Sequence, residues 1–419
     1  MERYNSYKDS GISWIGKIPE HWEVKKIGSL FVERREKVSD KEYPALSVSK
    51  QGITPQLDTA VKTDNGDNRK KVCKNDFVVN SRSDRKGSCG VSPYTGSVSL
   101  INIVLSPRKN AEIEYFHHLF RSNDYIEEFY RIGRGIVADL WTTRYSEMRN
   151  IYIPLPPSNE QRTIVDYIED KTSKIDAYVA DKEKEIELLQ ELKQKTIADA
   201  VTKGLNPDAK MKDSGISWIG GIPEHWEVCR MKRVFSEAKE KTTTESGTLL
   251  SLSQYTGITL KDDAKKVGMF EAESTIGYNV VHSGQFVMNI MLAWNGSYAV
   301  SDYEGIISPS YCVFNFNEDC EKKYFHYLLR LPAYAGAFKT MSKGIIESRL
   351  RLYPIYFLAF KTIIPPLDEQ QSIVTYIEEK CEKIDKLASE LQSEIDYLKE
   401  YKQRLIADCV TGQVNVSGV

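Results

Sequence analysis

The chain has 419 residues, 41% of them hydrophobic and 28% charged, with 57 Lys and Arg set against 59 Asp and Glu for a net charge of −2. That length exceeds one compact domain and allows two or three, and the composition is ordinary for a soluble globular protein. It excludes a membrane span, since no run approaches roughly 18 consecutive apolar residues, and the opening MERYNSYKDSG lacks the basic-then-apolar order of a signal peptide.

Seven cysteines (73, 89, 229, 312, 320, 381, 409) are scattered without a Cys-x-x-Cys pair, which fits reduced thiols and a cytoplasmic location rather than disulfides or zinc. The near-zero net charge does not mark a nucleic-acid binder, yet it can hide a basic face where acids are segregated elsewhere. Asp and Glu crowd Asp166–Glu191, while Arg and Lys cluster in Lys25–Lys37, Arg69–Lys71, Arg82–Lys86 and Arg131–Arg144.

In chain order, the first recognisable segment is Lys8–Val24, KDSGISWIGKIPEHWEV. It returns at Lys212–Val228 as KDSGISWIGGIPEHWEV, differing only where Lys17 becomes Gly221. The chain is therefore a tandem repeat. Lys25–Ile153 follows the first opening and Cys229–Ile364 the second, and these centres share only a loose pattern. NDFVVNSRSDRKGSCGVSPYTGSVS from Asn75 and SGQFVMNIMLAWNGSYAVSDYEGIIS from Ser283 both run β-branched residues into a polar, Gly-containing turn and back, as strands and hairpins do. EYFHHLFRSNDYIEEFY from Glu114 and KYFHYLLRLPAYAGAFK from Lys323 read as matching short helices.

Each half closes in a predicted helix of roughly 45 residues, Asn159–Lys203 and Asp368–Thr411, about 65 Å long at 1.5 Å per residue. Pro-Pro precedes each helix, Asn159 and Asp368 are the expected N-caps, Glu160 and Glu369 suit the positive first turn, and Gly204 and Gly412 mark the ends. Ile164, Ile175, Ile186 and Ile197 fall eleven residues apart, as do Ile373, Ile384, Ile395 and Ile406. That period, about 3.67 residues per turn, keeps the stripe on one face without demanding a left-handed supercoil. Ile168, Val179, Leu189 and Leu192 widen it in the first helix, and Leu387, Leu391, Leu398 and Leu405 in the second. The expected partner of each stripe is the other helix, antiparallel, with Ile377 also at the interface. The register offset between repeats is 204 at the front and 209 at the back, so the second copy gains about five residues in between.

Motifs that could carry chemistry are incomplete. Gly11–Lys17 mimics a phosphate-binding loop, but Ile18 stands where Mg²⁺ binding needs Ser or Thr, and the second copy lacks the lysine. Asp208, Glu237 and Lys239 loosely fit a metal-dependent nuclease pattern, yet Asp208 lies in the linker between halves. No methyltransferase site is evident, and His21, His117, His118, His225, His282 and His326 lack metal-ligand spacing. No catalytic residue and no metal site is expected.

DNA readers hold phosphates with Lys and Arg and read base edges with Arg, Lys, Asn and Gln. The candidates in the first half are Arg82, Arg85 and Lys86 in a polar turn, then Arg131, Arg134, Trp141 and Arg144 around Gly133–Gly135. In the second half they are Asn289, Trp294 and Asn295 in the equivalent turn, with Lys339, Lys343, Arg349 and Arg351 around Gly344.

The duplicated SGISWIGxIPEHWEV opening, the paired helix starts IPLPPSNEQRTIV (Ile153–Val165) and IIPPLDEQQSIV (Ile363–Val374), and two divergent centres between matched helices resemble the specificity subunits of type I restriction–modification systems over essentially the whole chain. The resemblance implies an α+β fold of two α/β target-recognition domains separated by two long antiparallel coiled-coil helices in a pseudo-twofold repeat. It implies domain limits of 1–155, 156–204, a linker 205–211, 212–364, 365–412 and a tail 413–419. Each recognition domain would read one half of a bipartite double-stranded DNA site, the helices would set the gap, and the chain would be non-catalytic. Partners would be two methyltransferase subunits and motor–nuclease subunits, which would carry S-adenosylmethionine, ATP and Mg²⁺; no membrane association is expected. The family's base contacts follow no fixed motif, so the DNA-contact candidates rest on the residue reading alone. The competing functional reading is a two-headed DNA-binding regulator without enzymatic partners.

Overall fold

Continuous apolar runs such as Phe77-Val-Val belong to strands covered on both faces, and the computed structural model places them so. It describes residues 3–57, 66–108, 111–135, 141–254, 256–261, 274–317, 319–345 and 349–416; of the tail 413–419, residues 417–419 lie outside them. Two units emerge, Met1–Lys184 with Leu391–Val419, and Glu185–Glu390. Both long helices are divided between them.

In the first unit a four-stranded antiparallel sheet has the order Cys89–Val91, Phe77–Asn80, Asn102–Pro107, Phe31–Glu33. Val79 pairs with Cys89 on one side and Ile103 on the other. Because successive side chains point to opposite faces, Phe77, Val79, Ile103 and Leu105 meet Phe116, Phe120 and Phe129 of the helices Ile113–Arg121 and Asn123–Arg131. Val78 and Val104 turn the other way, onto Leu46, Ile53, Val72 and Val98.

The second unit repeats this plan. Its sheet runs Phe235–Ala238, Tyr311–Phe316, Phe286–Asn289, Tyr298–Val300. Phe286, Met288 and Phe314 face Phe325, Phe338 and Phe357, while Val287 and Val313 face Leu250, Ile258 and Val281. The paired strands keep the offset of 204 at Leu46–Ser49 and Leu250–Ser253 but 209 at Phe77–Asn80 and Phe286–Asn289. The extra residues therefore fall between them. The chain is an α+β protein.

The long helices span Ser158–Lys203 (46 residues) and Leu367–Val410 (44 residues). Each begins one residue before its expected start. The Pro157 carbonyl accepts from Gln161 N, and the Gln161 side chain donates to the Pro156 carbonyl at 2.8 Å, repeated at 2.8 Å by Gln370 on Pro365. Asn159 and Asp368 consequently stand exposed inside the first turn rather than capping it.

In the first unit, Lys402 reaches Asp176 at 2.6 Å, Lys399 reaches Glu183 at 3.0 Å, and Glu394 accepts from Tyr178 at 3.2 Å and pairs with Lys182 at 3.2 Å. In the second unit Lys193 holds both oxygens of Asp385 at 2.7 Å. Ile164 and Ile168 share a core with Leu405 and Cys409 while Lys182 meets Glu394, and Ile373 and Ile377 share one with Ala200 and Val201 while Lys193 meets Asp385, so the segments in each unit run antiparallel. The apolar stripe divides its labour. Ile164 and Ile168 join Leu405, Cys409 and Val410 in the core of the first globular part, with Ile175 and Ile406 half-buried beside them. Ile373 and Ile377 do the same with Ala200 and Val201 in the second, Ile197 flanking. Val179, Leu391, Ile395 and Ile384 are buried farther along, with Ile186, Leu189 and Leu398 half-buried. The stripe therefore packs on the other helix and on the globular part together. Leu192 and Leu387, expected to widen it, are exposed.

The repeated motifs meet in space. Glu160, buried in the first turn, accepts from the Trp22 indole at 3.1 Å and the Tyr4 hydroxyl at 2.5 Å, and bonds His21 Nε2 at 2.7 Å. Burial and the Glu160 carboxylate hold the Tyr4 hydroxyl far above its usual range, so it stays a donor. Glu369 bonds Trp226 at 3.0 Å and His225 at 2.7 Å. The other helix end arrives at the same tryptophan. Gly412, at φ 77°, leaves room that a Cβ would take 2.4 Å from Pro19 and 3.1 Å from Trp22. Gly204 does likewise beside Glu369 and Trp226. Tyr115 and Tyr324 then cap the carbonyls of Val410 and Val201, each at 2.9 Å. The opening segment is thus a clamp on two helix ends, which explains why its sequence is duplicated.

Candidate nucleic-acid interface

The first unit's candidate face begins where strand Phe77–Asn80 ends. Asn80 is buried and its side-chain oxygen accepts from Arg82 N at 3.1 Å, turning the chain into the short 3₁₀ segment Ser83–Arg85. A second strip lies alongside. Arg134 and Thr142 exchange backbone hydrogen bonds at 3.0 and 2.9 Å, Ser83 N donates to Trp141 O, and Thr143 N donates to Ser81 O. Residues 136–140 lie outside the described residues. The Trp141 indole donates to Tyr130 O at 2.7 Å and its ring fills the space where a Cβ on Gly133 would fall, so this tryptophan fastens the hairpin base.

Between the strips and the sheet edge lies a concavity of about 540 Å³, lined by Arg35, Lys37, Lys70, Arg82 and Arg144 with a single carboxylate, Glu33. Glu33 takes Arg35 at 2.7 Å and Lys70 at 3.1 Å, leaving a strong positive excess. Exposed Leu100 and Ile101 border it, offering apolar contact of the kind thymine methyl groups accept. Arg85 projects from the turn, its Nε 3.8 Å from Asp84, and Arg134 stands 3.7 Å from Glu147. Lys86 and Arg131 instead lie along helix Asn123–Arg131, bonded to Glu127 and Glu128. Exposed pairs of this kind contribute about 0–1 kcal/mol, little enough for a phosphate to displace.

The second unit builds the same scaffold from different residues. Lys343 and Arg351 exchange backbone hydrogen bonds, both 2.9 Å, and Leu352 N donates to Ile290 O, beside the 3₁₀ segment Ala293–Asn295. Asn289 matches Asn80: it is buried and its oxygen accepts from Met291 N at 2.9 Å. Trp294 donates to Met291 O, with the Lys339 ammonium 5.4 Å from its ring centroid, and the Asn295 oxygen accepts from Ser297. Lys343 lies 5.1 Å over Tyr356. Arg349 and Arg351 are exposed, as are Met291, Leu292, Ile345, Tyr353 and Ile355. Where the first face is cationic around a hollow, the second mixes cations with aromatic and aliphatic surface. Residues 346–348 are outside the described residues.

Asp208 and Glu237 sit in different elements: Asp208 N donates to the Asn206 side chain in the linker, and Glu237 pairs with Phe314 within the sheet.

A sequence-family model described as the type I restriction modification DNA specificity domain matches residues 19–188. The MjaVIII type I restriction enzyme specificity subunit of Methanocaldococcus jannaschii is 25% identical, covering 96% of this chain and 95% of its own length. The chain is thus similar to type I specificity subunits over nearly its whole length. A second relative from that organism, the putative MjaX specificity subunit, is 23% identical over 96% of both chains. The fold agrees as well. The HsdS subunit of Thermoanaerobacter tengcongensis superposes with a TM-score of 0.52 at 17% identity, covering 95% of this chain and 98% of that one. A chain from a structure of type I restriction–modification complex assembly gives 0.67 at 14%, covering 95% and 99%.

The informative residues are those that differ between the two faces. Arg35, Lys37 and Lys70 join Arg82 and Arg144 although no local pattern links them. The only sequence signal was their place in the basic clusters Lys25–Lys37 and Arg69–Lys71.

Proposed function

We propose that this chain reads DNA for a type I restriction–modification complex, with the two hairpin-and-turn faces each reading one half of a bipartite double-stranded site. One observation carries the reading. The same backbone scaffold, Ser81–Thr143 with Arg134–Thr142 and Ile290–Leu352 with Lys343–Arg351, is built twice and carries two different sets of side chains. Identical support with divergent contacts is what reading two unlike half-sites requires. The chain acts as a recognition subunit, performs no catalysis, and works with other subunits of its system.

In the finer reading, residues 1–155 and 212–364 are target-recognition domains, joined through the linker 205–211, and residues 156–204 and 365–412 form an antiparallel coiled coil that sets the gap between half-sites. Exposed Leu188, Leu192 and Tyr376 on these helices support docking of two methyltransferase subunits. Those subunits hold S-adenosylmethionine, and motor–nuclease subunits hold ATP and Mg²⁺. The family match does not favour a stand-alone regulator.

Methylome sequencing of a restriction-free host tests this, with the chain co-expressed with its methyltransferase subunit. A new bipartite adenine-methylation motif that vanishes without this chain is expected. A stable complex that leaves the methylome unchanged overturns the reading.

A further inference from the structure

A second cavity of about 540 Å³ opens in the first unit, away from the hairpin, between helices Ile113–Arg121 and Asn123–Arg131 and the residues around Lys402. Lys50, Lys86, His117, His118, Arg121 and Lys402 line it, and Glu127, bonded to Lys86, is its one carboxylate. Lys402 is held by Asp176. Lys50 and Arg121 have no carboxylate within ion-pair distance among the described residues. Arg121 spends two N–H groups on the carbonyls of Cys89 and Lys50, both at 2.7 Å, which fixes its charge at the wall. His117 Nδ1 accepts from Val91 N at 3.2 Å, so the neutral ring carries its proton on Nε2. Burial, with Arg121 nearby, holds His117 down to about 3 and, with Lys402 as well, His118 to about 4.

The second unit is an internal control. Arg330 repeats the work of Arg121, donating to Tyr298 O at 3.2 Å and Gln254 O at 2.5 Å. His326 matches His117, and Lys193 with Asp385 matches Lys402 with Asp176. What differs is the surplus: Gln254 stands for Lys50, Tyr327 for His118, and Asn295 with Gly336 for the ion pair of Lys86 with Glu127. The retained groups hold the fold together, whereas the added donors and positive charge belong to the first unit alone.

We propose that this cavity is an anion site that takes a phosphoryl group, borne by a small molecule or by a nucleic-acid backbone. Lys and Arg beside imidazole N–H donors suit tetrahedral polyanions, and the volume falls in the range of small-ligand sites, roughly 300–1,000 Å³.

The test compares the full-length chain with K50Q/H118Y, which installs the second unit's own residues and so keeps a packing this fold already tolerates. Inorganic pyrophosphate titrated calorimetrically should bind at one site per chain and lose about tenfold or more in affinity in the double variant, with the melting curve unchanged. The reverse variant, Q254K/Y327H, should gain a second site. If the phosphate belongs to DNA, pyrophosphate binding is weak, but the salt dependence of duplex binding falls by about one unit of slope in K50Q/H118Y. Neither effect, or pyrophosphate binding indifferent to the substitutions, overturns the proposal. The free-anion arm stands whether or not the chain reads DNA, so its failure is separate from a failure of that reading.

Discussion

Glu160→Ala removes the carboxylate on which Tyr4, His21 and Trp22 converge. Trp22 is fully buried, so its indole N–H would lose its acceptor with no water to replace it. An orphaned buried donor costs about 1–3 kcal/mol, and a hydrogen bond to a charged group contributes about 1.5–3 kcal/mol. His21 is half exposed and recovers part of its loss from solvent, which puts the total near 3 kcal/mol. A unit of about 200 residues loses roughly 2–4 °C of Tm per kcal/mol, so the first unit should melt about 6–12 °C lower. Glu369→Ala gives the internal comparison. Its carboxylate side chain is 22% exposed against 8% for Glu160, and only Trp226 and His225 bond it among the described residues. The second unit should therefore lose less. Calorimetry of the full chain, with urea unfolding followed by tryptophan fluorescence, reads both. A Glu160→Ala melt within about 1 °C of wild type, or a larger loss from Glu369→Ala, would refute the clamp reasoning.

Gly412→Val places a Cβ against Pro19 and Trp22 at a left-handed position and should destabilise the first unit by about 2 kcal/mol or more, measured by urea midpoint; an unchanged midpoint contradicts it. Arg144→Ala should lower the salt slope of duplex binding by about one, whereas Arg131→Ala, its guanidinium held by two hydrogen bonds to Glu128, should change it less; fluorescence anisotropy across a salt series decides. His282 sits between Glu240 and Glu304, which raise its pKa. Its contribution to stability is therefore full below the unfolded value near 6.5 and fades as pH rises through the raised folded value. His282→Gln should flatten that part of the pH–stability curve, and an identical curve would exclude the bridge. Inserting one helical turn in each long helix, about 5.4 Å, should change the gap between half-sites by one or two base pairs at about 3.4 Å each and leave the half-site bases unchanged in the methylome.

Much of this organisation was legible in the sequence because repetition is a local property. The opening segment, the Pro-Pro-x-x-Glu-Gln starts and the terminal glycines could each be seen twice, although their convergence on Trp22 and Trp226 could not. The match of Asn75–Ser99 with Ser283–Ser308 survived divergence because both-faces-buried strands restrict residues to β-branched and aromatic types. The helices start one residue earlier than Asn159 and Asp368 suggest because the Pro157 and Pro366 carbonyls already accept the first helical bonds, from Gln161 N and Gln370 N, which puts Asn159 and Asp368 inside the first turn. Trp141 and Asn289 resembled contact residues by type, yet each spends its polar group on its own hairpin or turn. Arg131 and Glu128 stand three apart on one helix face, so their pairing could have been anticipated; that of Lys86 with Glu127 required the tertiary fold. The grouping of Arg35 and Lys70 with Arg144 depends on strand pairing across the whole unit, which no window of sequence displays.

The chain's last described residues return to its first: Gln413 donates to Lys17 O at 2.8 Å, the Tyr7 hydroxyl reaches Gln413 O, and Val414 and Val416 are buried in the first unit's core. In the other repeat the corresponding place is the continuous stretch Leu205–Lys210. The stretches that follow Gly412 and Gly204 therefore leave matching places, each beside its own unit's tryptophan, Trp22 or Trp226. A circular permutant that joins the present ends through a short linker and opens at Asn206–Ala209 would exchange the covalent order of the two repeats while asking every side chain to do the same work.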